Sequence, residues 1–154
     1  MKVLFVCTGN SCRSPMAAAL LKKAAQEKNL NIDVDSCGVT AFSGMGASRE
    51  AIDVLRRVGI DIFGHKSKPL NEELINWADL ILVMEKGHKN RVLKDWPEAG
   101  NKVFLLTEFA KSEEKDIIDP VGKPSEVYEG LLMDLTFYLN KIIDRIENEN
   151  SNSK

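Results

Sequence analysis

The chain contains no apolar run approaching the roughly 20 residues that a membrane-spanning helix needs. It also lacks an excess of charge of either sign: 21 Lys and Arg stand against 23 Asp and Glu, for a formal net charge of −2. No whole-molecule field draws such a protein to nucleic acid or to a membrane surface, so any anion site must be local. Cysteine is scarce and odd in number, at positions 7, 12 and 37. A disulfide-built domain would show an even set in a shorter secreted chain. Two histidines and the absence of a CxxC pair argue against structural zinc, and no metal or cofactor is expected. The Walker pattern GxxxxGK[ST] is missing, which excludes that kind of nucleotide loop. The first seven residues run from an apolar stretch into polar turn residues with no small-residue cleavage site. They read as a strand and not a signal peptide, and a cytoplasmic location is expected.

What is present suits one globular unit. With 154 residues, 44% of them apolar, the chain can bury a full core. No repeat, linker or composition break divides it, so residues 1–154 are read as a single domain. A polar tail over about 147–154 is expected to fray.

Val3 to Val6 is a continuous apolar run, the pattern of a strand buried on both faces. Ser14 to Lys28 follows as a helix, with Pro15 in its first turn and Ala17, Leu20, Leu21 and Ala24 at helical spacing. Asn31 to Ser36 reads as a second strand. Gly38 to Ala47 is a loop of small residues. Ser48 caps a helix that Gly59 closes, and Asn71 caps a short one. Leu80 to Val83 is a third strand, followed by a helix from about Glu85 to Leu93. Lys102 to Leu105 is a fourth strand. Ser125 starts a long helix whose apolar face carries Val127, Leu131, Leu135, Leu139, Ile142, Ile143 and Ile146. Strands alternating with helices imply an α/β fold, a three-layer α-β-α arrangement around a four-stranded, mostly parallel sheet. Such sheets bind ligands beyond the carboxyl ends of their strands, at a topological switch point. The loop after the first strand, which begins at Cys7, is the leading candidate.

That loop reads Cys7-Thr8-Gly9-Asn10-Ser11-Cys12-Arg13-Ser14-Pro15. Small and turn-forming residues ahead of a helix allow several backbone N–H groups to converge on one phosphate-sized anion. The same dipoles would hold a cysteine at the base of the loop as thiolate. Arg13 can offer a bidentate fork to phosphate oxygens. A lone cysteine in a βα turn is more often a packing residue. Cys-x5-Arg-Ser-Pro between a buried strand and a helix is far more specific. Among the 23 acids, Asp119 stands between Ile117-Ile118 and Pro120. Partial burial there would raise its pKa. The residues alone leave it open between an Asp-Pro turn, the commoner fate, and a catalytic acid; Asp116 is an alternative acid. Trp77, Trp96, Phe42 and Phe63 are read as core, with Phe42 also a possible wall of the pocket. Cys37 is read as core.

The loop resembles the signature of the low-molecular-weight protein tyrosine phosphatase family, V-C-x-G-N-x-C-R-S-P, at Val6, Cys7, Gly9, Asn10, Cys12, Arg13, Ser14 and Pro15. Asp35-Ser36, Gly38 and Asp119-Pro120 resemble further segments of that family, and the similarity spans nearly the whole chain. The resemblance implies a protein phosphatase that works through a phosphocysteine intermediate. It implies Cys7 as nucleophile, Arg13 as ligand to the equatorial oxygens and Asp119 as general acid and then base. Thr8, Gly9, Asn10, Ser11, Cys12, Arg13 and Ser14 would line the phosphate. Asn10, Ser14 and Ser36 would form a supporting network, and His65 aligns with a supporting histidine. A reversible Cys7–Cys12 disulfide is also implied, against the plainer reading of Cys12 as a small packing residue.

The family branches in substrate. Tyrosine-specific members usually carry a bulky aliphatic residue where this chain has Ser11, and aromatics after the DP pair, where this chain has Val121-Gly122. Bacterial protein arginine phosphatases carry Thr at the Ser11 position and Gly two residues after DP. The segments His65 to Leu70 and Met84 to Lys89 also resemble that branch. The reading leans to phosphoarginine, with phosphotyrosine as the alternative. Expected partners are phosphorylated proteins, with inorganic phosphate as product and a monomeric enzyme. An arsenate reductase would need two more cysteines downstream, and after residue 37 there are none. A phosphocysteine carrier would not want Arg13 together with Asp119, and the same set argues against a non-catalytic phosphate or redox sensor.

Overall fold

The computed structural model describes residues 1–153. Four strands, β1 (Lys2–Cys7), β2 (Asp33–Gly38), β3 (Leu80–Val83) and β4 (Val103–Leu105), form one sheet in the order β2-β1-β3-β4. Every pairing is parallel, so the expected mostly parallel sheet is wholly so. From β1 the chain moves out to β2 on one side and returns to β3 on the other. The carboxyl end of β1 therefore faces the switch point, where a crevice opens between two loops that diverge.

The helices cover both faces because the strands alternate their side chains. Val3, Phe5 and Cys7 point to one face and pack with α1 (Arg13–Glu27), α2 (Arg49–Arg56) and α6 (Ser125–Asn152). Leu4 and Val6 point to the other, against α3 (Glu72–Trp77), α4 (Lys86–Asp95) and the 3₁₀ turn Pro97–Asn101. The one-turn helix α5 (Leu106–Phe109) follows β4 directly; it is too short to show a period in the sequence. Ser48 and Asn71 cap as expected, each accepting from a backbone N–H three residues on.

Three expectations are corrected. The segment from 147 to 152 is the end of α6 and not a frayed tail. Lys28 pairs with Asp144 and Glu147, and Arg145 with Glu149, where that segment begins; Lys154 lies outside the described residues. Phe42 and Phe63 are exposed, at 79% and 70%, while Trp77 and Trp96 do pack on the second core cluster. Tyr128 and Tyr138 join the buried face of α6, and Val127 is only partly covered. Cys37 is fully buried.

Gly38, at the end of β2, is where the fold meets the Cys7 loop. A Cβ there would lie 2.4 Å from the Thr8 carbonyl oxygen and 2.9 Å from the Asn10 nitrogen. Both are backbone atoms that cannot swing aside. Gly38→Ala should therefore cost about 1–3 kcal/mol by overpacking, read as a lower urea midpoint, and should also impair phosphate binding because the displaced atoms belong to the loop. An alanine variant with wild-type stability would show that the loop can yield.

Candidate active site

The loop between β1 and α1 is shaped by Asn10. Its φ of 55° is left-handed, a conformation that Asn tolerates better than most L-residues. The side chain is fully buried and bonded throughout. Its Nδ2 donates to Ser14 Oγ at 2.8 Å and to Ser36 Oγ at 2.9 Å, and its Oδ1 accepts from the Lys68 N–H at 3.1 Å. His65 Nε2 donates to the Asn10 carbonyl at 2.7 Å. Asn10, Ser14, Ser36 and His65 thus form one network behind the loop.

Cys7 sits at the loop floor with its Sγ 2.8 Å from Ser14 Oγ and 3.3 Å from the Asn10 N–H. Ser14 Oγ accepts from Asn10 Nδ2, and its one proton can go to the Cys37 carbonyl at 3.4 Å or to the nearer sulfur, a bond that is strongest to a thiolate. The expectation that loop dipoles dominate the thiol is corrected. Burial is the largest influence and pushes the Cys7 thiol up; the Ser14 hydroxyl, the Ser14 and Asn10 backbone groups and the Arg13 charge pull it down.

Arg13 is a buried cation, 2% exposed. Its Nη1 donates to Glu85 Oε2 at 2.7 Å and to the Ile117 carbonyl at 2.8 Å. Its Nη2 lies 3.4 Å from Thr8 Oγ1 and 3.5 Å from Asp119 Oδ2. His88 is also buried, and burial pushes its pKa down. Its Nδ1 accepts from the Glu85 N–H at 3.1 Å, so Nε2 carries the proton and donates to Thr8 Oγ1 at 2.8 Å.

Asp119 reaches the crevice on the segment between α5 and α6. Both fates open to it in the sequence occur together: Oδ1 accepts the Val121 N–H at 3.1 Å in an Asp-Pro turn, and Oδ2 faces Arg13. Its side chain is 45% exposed, about half covered, so it stands at the rim. The segment is held by Ile117 N–H to the Met84 carbonyl at 2.8 Å and by Asp116 Oδ1, which accepts the Lys86 N–H at 2.8 Å. Asp116 is thereby engaged at the start of α4.

Gly9 is exposed and Ser11 half-buried at the loop crest, with the Ser11 carbonyl accepting from Ser48 N–H. Cys12 points away from the crest, donating to Ser48 Oγ at 3.2 Å and lying 3.5 Å from Tyr128 Oη. Cys7 and Cys12 are both free thiols here. The Phe42 side chain stands in solvent. Glu85 and His88 are the residues that sequence reasoning missed as site members. One signal was available: Glu85 follows the buried run of β3 by two residues, at a carboxyl strand end beside the switch point.

Residues 2–152 match the family described as Low molecular weight phosphotyrosine protein phosphatase. A protein-arginine-phosphatase of Geobacillus stearothermophilus is 42% identical over 149 residues, 96% of this chain and 97% of that protein. A probable low molecular weight protein-tyrosine-phosphatase, EpsP of Ralstonia solanacearum, is 41% identical over 130 residues, 84% of this chain and 85% of its own. Among solved structures, the C7S mutant of YwlE arginine phosphatase, with a phosphorylated active site serine, superposes with a TM-score of 0.93 at 36% identity, covering 96% of each chain.

The hydrogen bond from Ser14 lowers the Cys7 pKa against the upward push of burial. Ser14→Ala should therefore raise it further. The pH profile for alkylation of Cys7 by iodoacetamide should move in the alkaline direction, with slower modification at neutral pH. A profile that stays in place or moves to acid would show that Ser14 does not act on the sulfur.

Proposed function

This chain belongs to the low molecular weight phosphotyrosine protein phosphatase family and is a cysteine-dependent protein phosphatase, and on that premise we propose which of its residues carry the reaction and on what substrate. The Cys7 thiolate attacks phosphorus in line. Its S–P bond forms as the P–N or P–O bond to the substrate side chain breaks, and Asp119 donates a proton to the departing atom. Asp119 then takes a proton from water, which attacks phosphorus and releases inorganic phosphate. The S–P bond breaks and the thiolate returns to the hydrogen bond of Ser14. Through both steps the converging N–H groups of residues 8–14 and the Arg13 guanidinium hold the phosphoryl oxygens. The observation that carries this reading is the joint placement of Cys7 Sγ against Ser14 Oγ at 2.8 Å and of Arg13 against Asp119 at 3.5 Å, on one crevice.

The substrate favoured is protein phosphoarginine. The identity with an arginine phosphatase along nearly the whole chain supports it. So does the rim: Ser11 offers a hydroxyl where an alkyl group would favour an aryl ester, and Gly122, at φ 76°, is the glycine two residues after Asp119-Pro120 that resembles the arginine branch, whereas Val121 favours neither branch. Phosphotyrosine is the second reading, supported by the 41% identity to EpsP. A reducing, cytoplasmic setting suits a thiol that must stay free. Cys12, five residues from Cys7, is proposed as its partner in a reversible disulfide after peroxide exposure.

Three measurements test this. Cys7→Ser should abolish turnover of phosphopeptides. Asp119→Ala should lower kcat by about 10²–10⁴-fold while inorganic phosphate still inhibits; unchanged kcat at every pH would remove Asp119 from the mechanism. Separately, paired assays on phosphoarginine and phosphotyrosine peptides should give the higher kcat/KM for phosphoarginine, and the reverse order would overturn the substrate assignment.

A further inference from the structure

We propose that the Thr8 hydroxyl donates a hydrogen bond to the bound phosphoryl group, and that His88 is the positioning residue that aims it. This rests on the reading of the Cys7 loop as the phosphoryl site. A hydroxyl has one proton and two lone pairs, and its neighbours decide which of them faces the ligand. His88 Nδ1 accepts from the Glu85 N–H at 3.1 Å, so the neutral ring carries its proton on Nε2. That N–H lies 2.8 Å from Thr8 Oγ1 and can only donate to it. Glu85 Oε2 is the more distant partner of the same nitrogen, at 3.4 Å. Arg13 Nη2 gives Thr8 Oγ1 a second, longer donor at 3.4 Å. Both lone pairs are then engaged. The Thr8 proton is left over, with no acceptor among the described residues.

The surroundings decide where that proton goes. Thr8 follows Cys7 directly and is half-buried, and its oxygen lies beside Arg13 Nη2, which is itself 3.5 Å from Asp119 Oδ2. A guanidinium has donors and no acceptor, so the side chain of a phosphoarginine substrate cannot take the proton. A phosphoryl oxygen can, and a hydrogen bond to an anion is of the stronger kind. Both ends of the arrangement are fixed. The Thr8 carbonyl accepts from the Thr40 N–H at 3.0 Å, which ties the residue to the segment after β2. His88 is buried on α4, where the same Glu85 N–H that sets its tautomer closes a capping box. Burial disfavours the charged ring, which keeps Nδ1 an acceptor.

A simpler role is a clasp that joins the loop to α4 and never meets the ligand. The two roles differ in what they move. A clasp contributes to stability, whereas an aimed donor contributes to phosphate affinity. Thr8→Val keeps the branched shape and removes the hydroxyl. Thr8→Ala removes it without crowding, and Thr8→Ser retains it. His88→Leu removes the donor to Thr8. His88→Gln keeps an acceptor for the Glu85 N–H, as capping boxes do, together with an N–H that can donate.

The readout is competitive inhibition of p-nitrophenyl phosphate hydrolysis by inorganic phosphate, with thermal midpoints measured alongside. The inhibition constant should rise about tenfold in Thr8→Val and Thr8→Ala, the scale of one hydrogen bond to a charged group, and Thr8→Ser should restore it. His88→Leu should raise it by a similar factor and His88→Gln should recover most of the loss. The double variant Thr8→Val with His88→Leu should be no weaker than Thr8→Val alone, because both changes remove the same bond. A wild-type constant in both Val and Ala variants, with or without a lower midpoint, overturns the donor role. Losses that add in the double variant overturn the positioning role of His88. If phosphate fails to compete even in the wild-type enzyme, the reading of the loop fails, an outcome distinct from failure at Thr8 alone.

Discussion

A buried amide in a left-handed turn must have its hydrogen-bonding groups met from within the protein, because an unmet one costs about 1–3 kcal/mol. Asn10 meets that demand with partners from three separate segments: Ser14 at the start of α1, Ser36 in β2, and His65 with Lys68 in the loop before α3. Removing any of these segments would strand a polar group in the core. The loop is therefore held in shape by α1, by β2 and by the segment from His65 to Lys68.

Arg13 plays the corresponding part on the other half. A buried guanidinium is tolerated only when its charge is paired and its donors bonded. The partners come from the β3–α4 junction through Glu85 and from the acid-bearing segment through Ile117 and Asp119. One cation thus draws together pieces more than a hundred residues apart in the chain. Between the Asn10 network and the Arg13 network lies Cys7, whose thiol burial pushes up and whose neighbours pull down. The balance is local: the sulfur is kept out of water by the fold, and the groups that favour its anion are the same ones that shape the loop.

The rim follows a different logic. Asp119, Ser11 and Val121 are all at least partly open to solvent. An exposed carboxylate hinged on its own Asp-Pro turn can face both a leaving atom and a water.

Much of this was legible in the residues. The uninterrupted apolar runs of β1 and β3 announce strands buried on both faces, and the spacing in α6 announces its core face. The loop from Cys7 to Pro15 carries its chemistry in contiguous order, so its phosphate-binding character is determined by the sequence alone. Only the tertiary structure could decide the rest. That Glu85 pairs with Arg13, that His88 reaches Thr8 and that Tyr128 lies beside Cys12 depend on strand order, which no local pattern encodes. The extension of α6 through 152 was hidden for a related reason. Its last turns are polar, so hydrophobic periodicity has ended there, and the ion pairs from Lys28, just past α1, meet α6 only at Asp144 and Glu147. Contiguous residues specify a local shape through their own backbone preferences. Pairing across the switch-point crevice is decided by the charge and hydrogen-bonding capacity that burial leaves to be met.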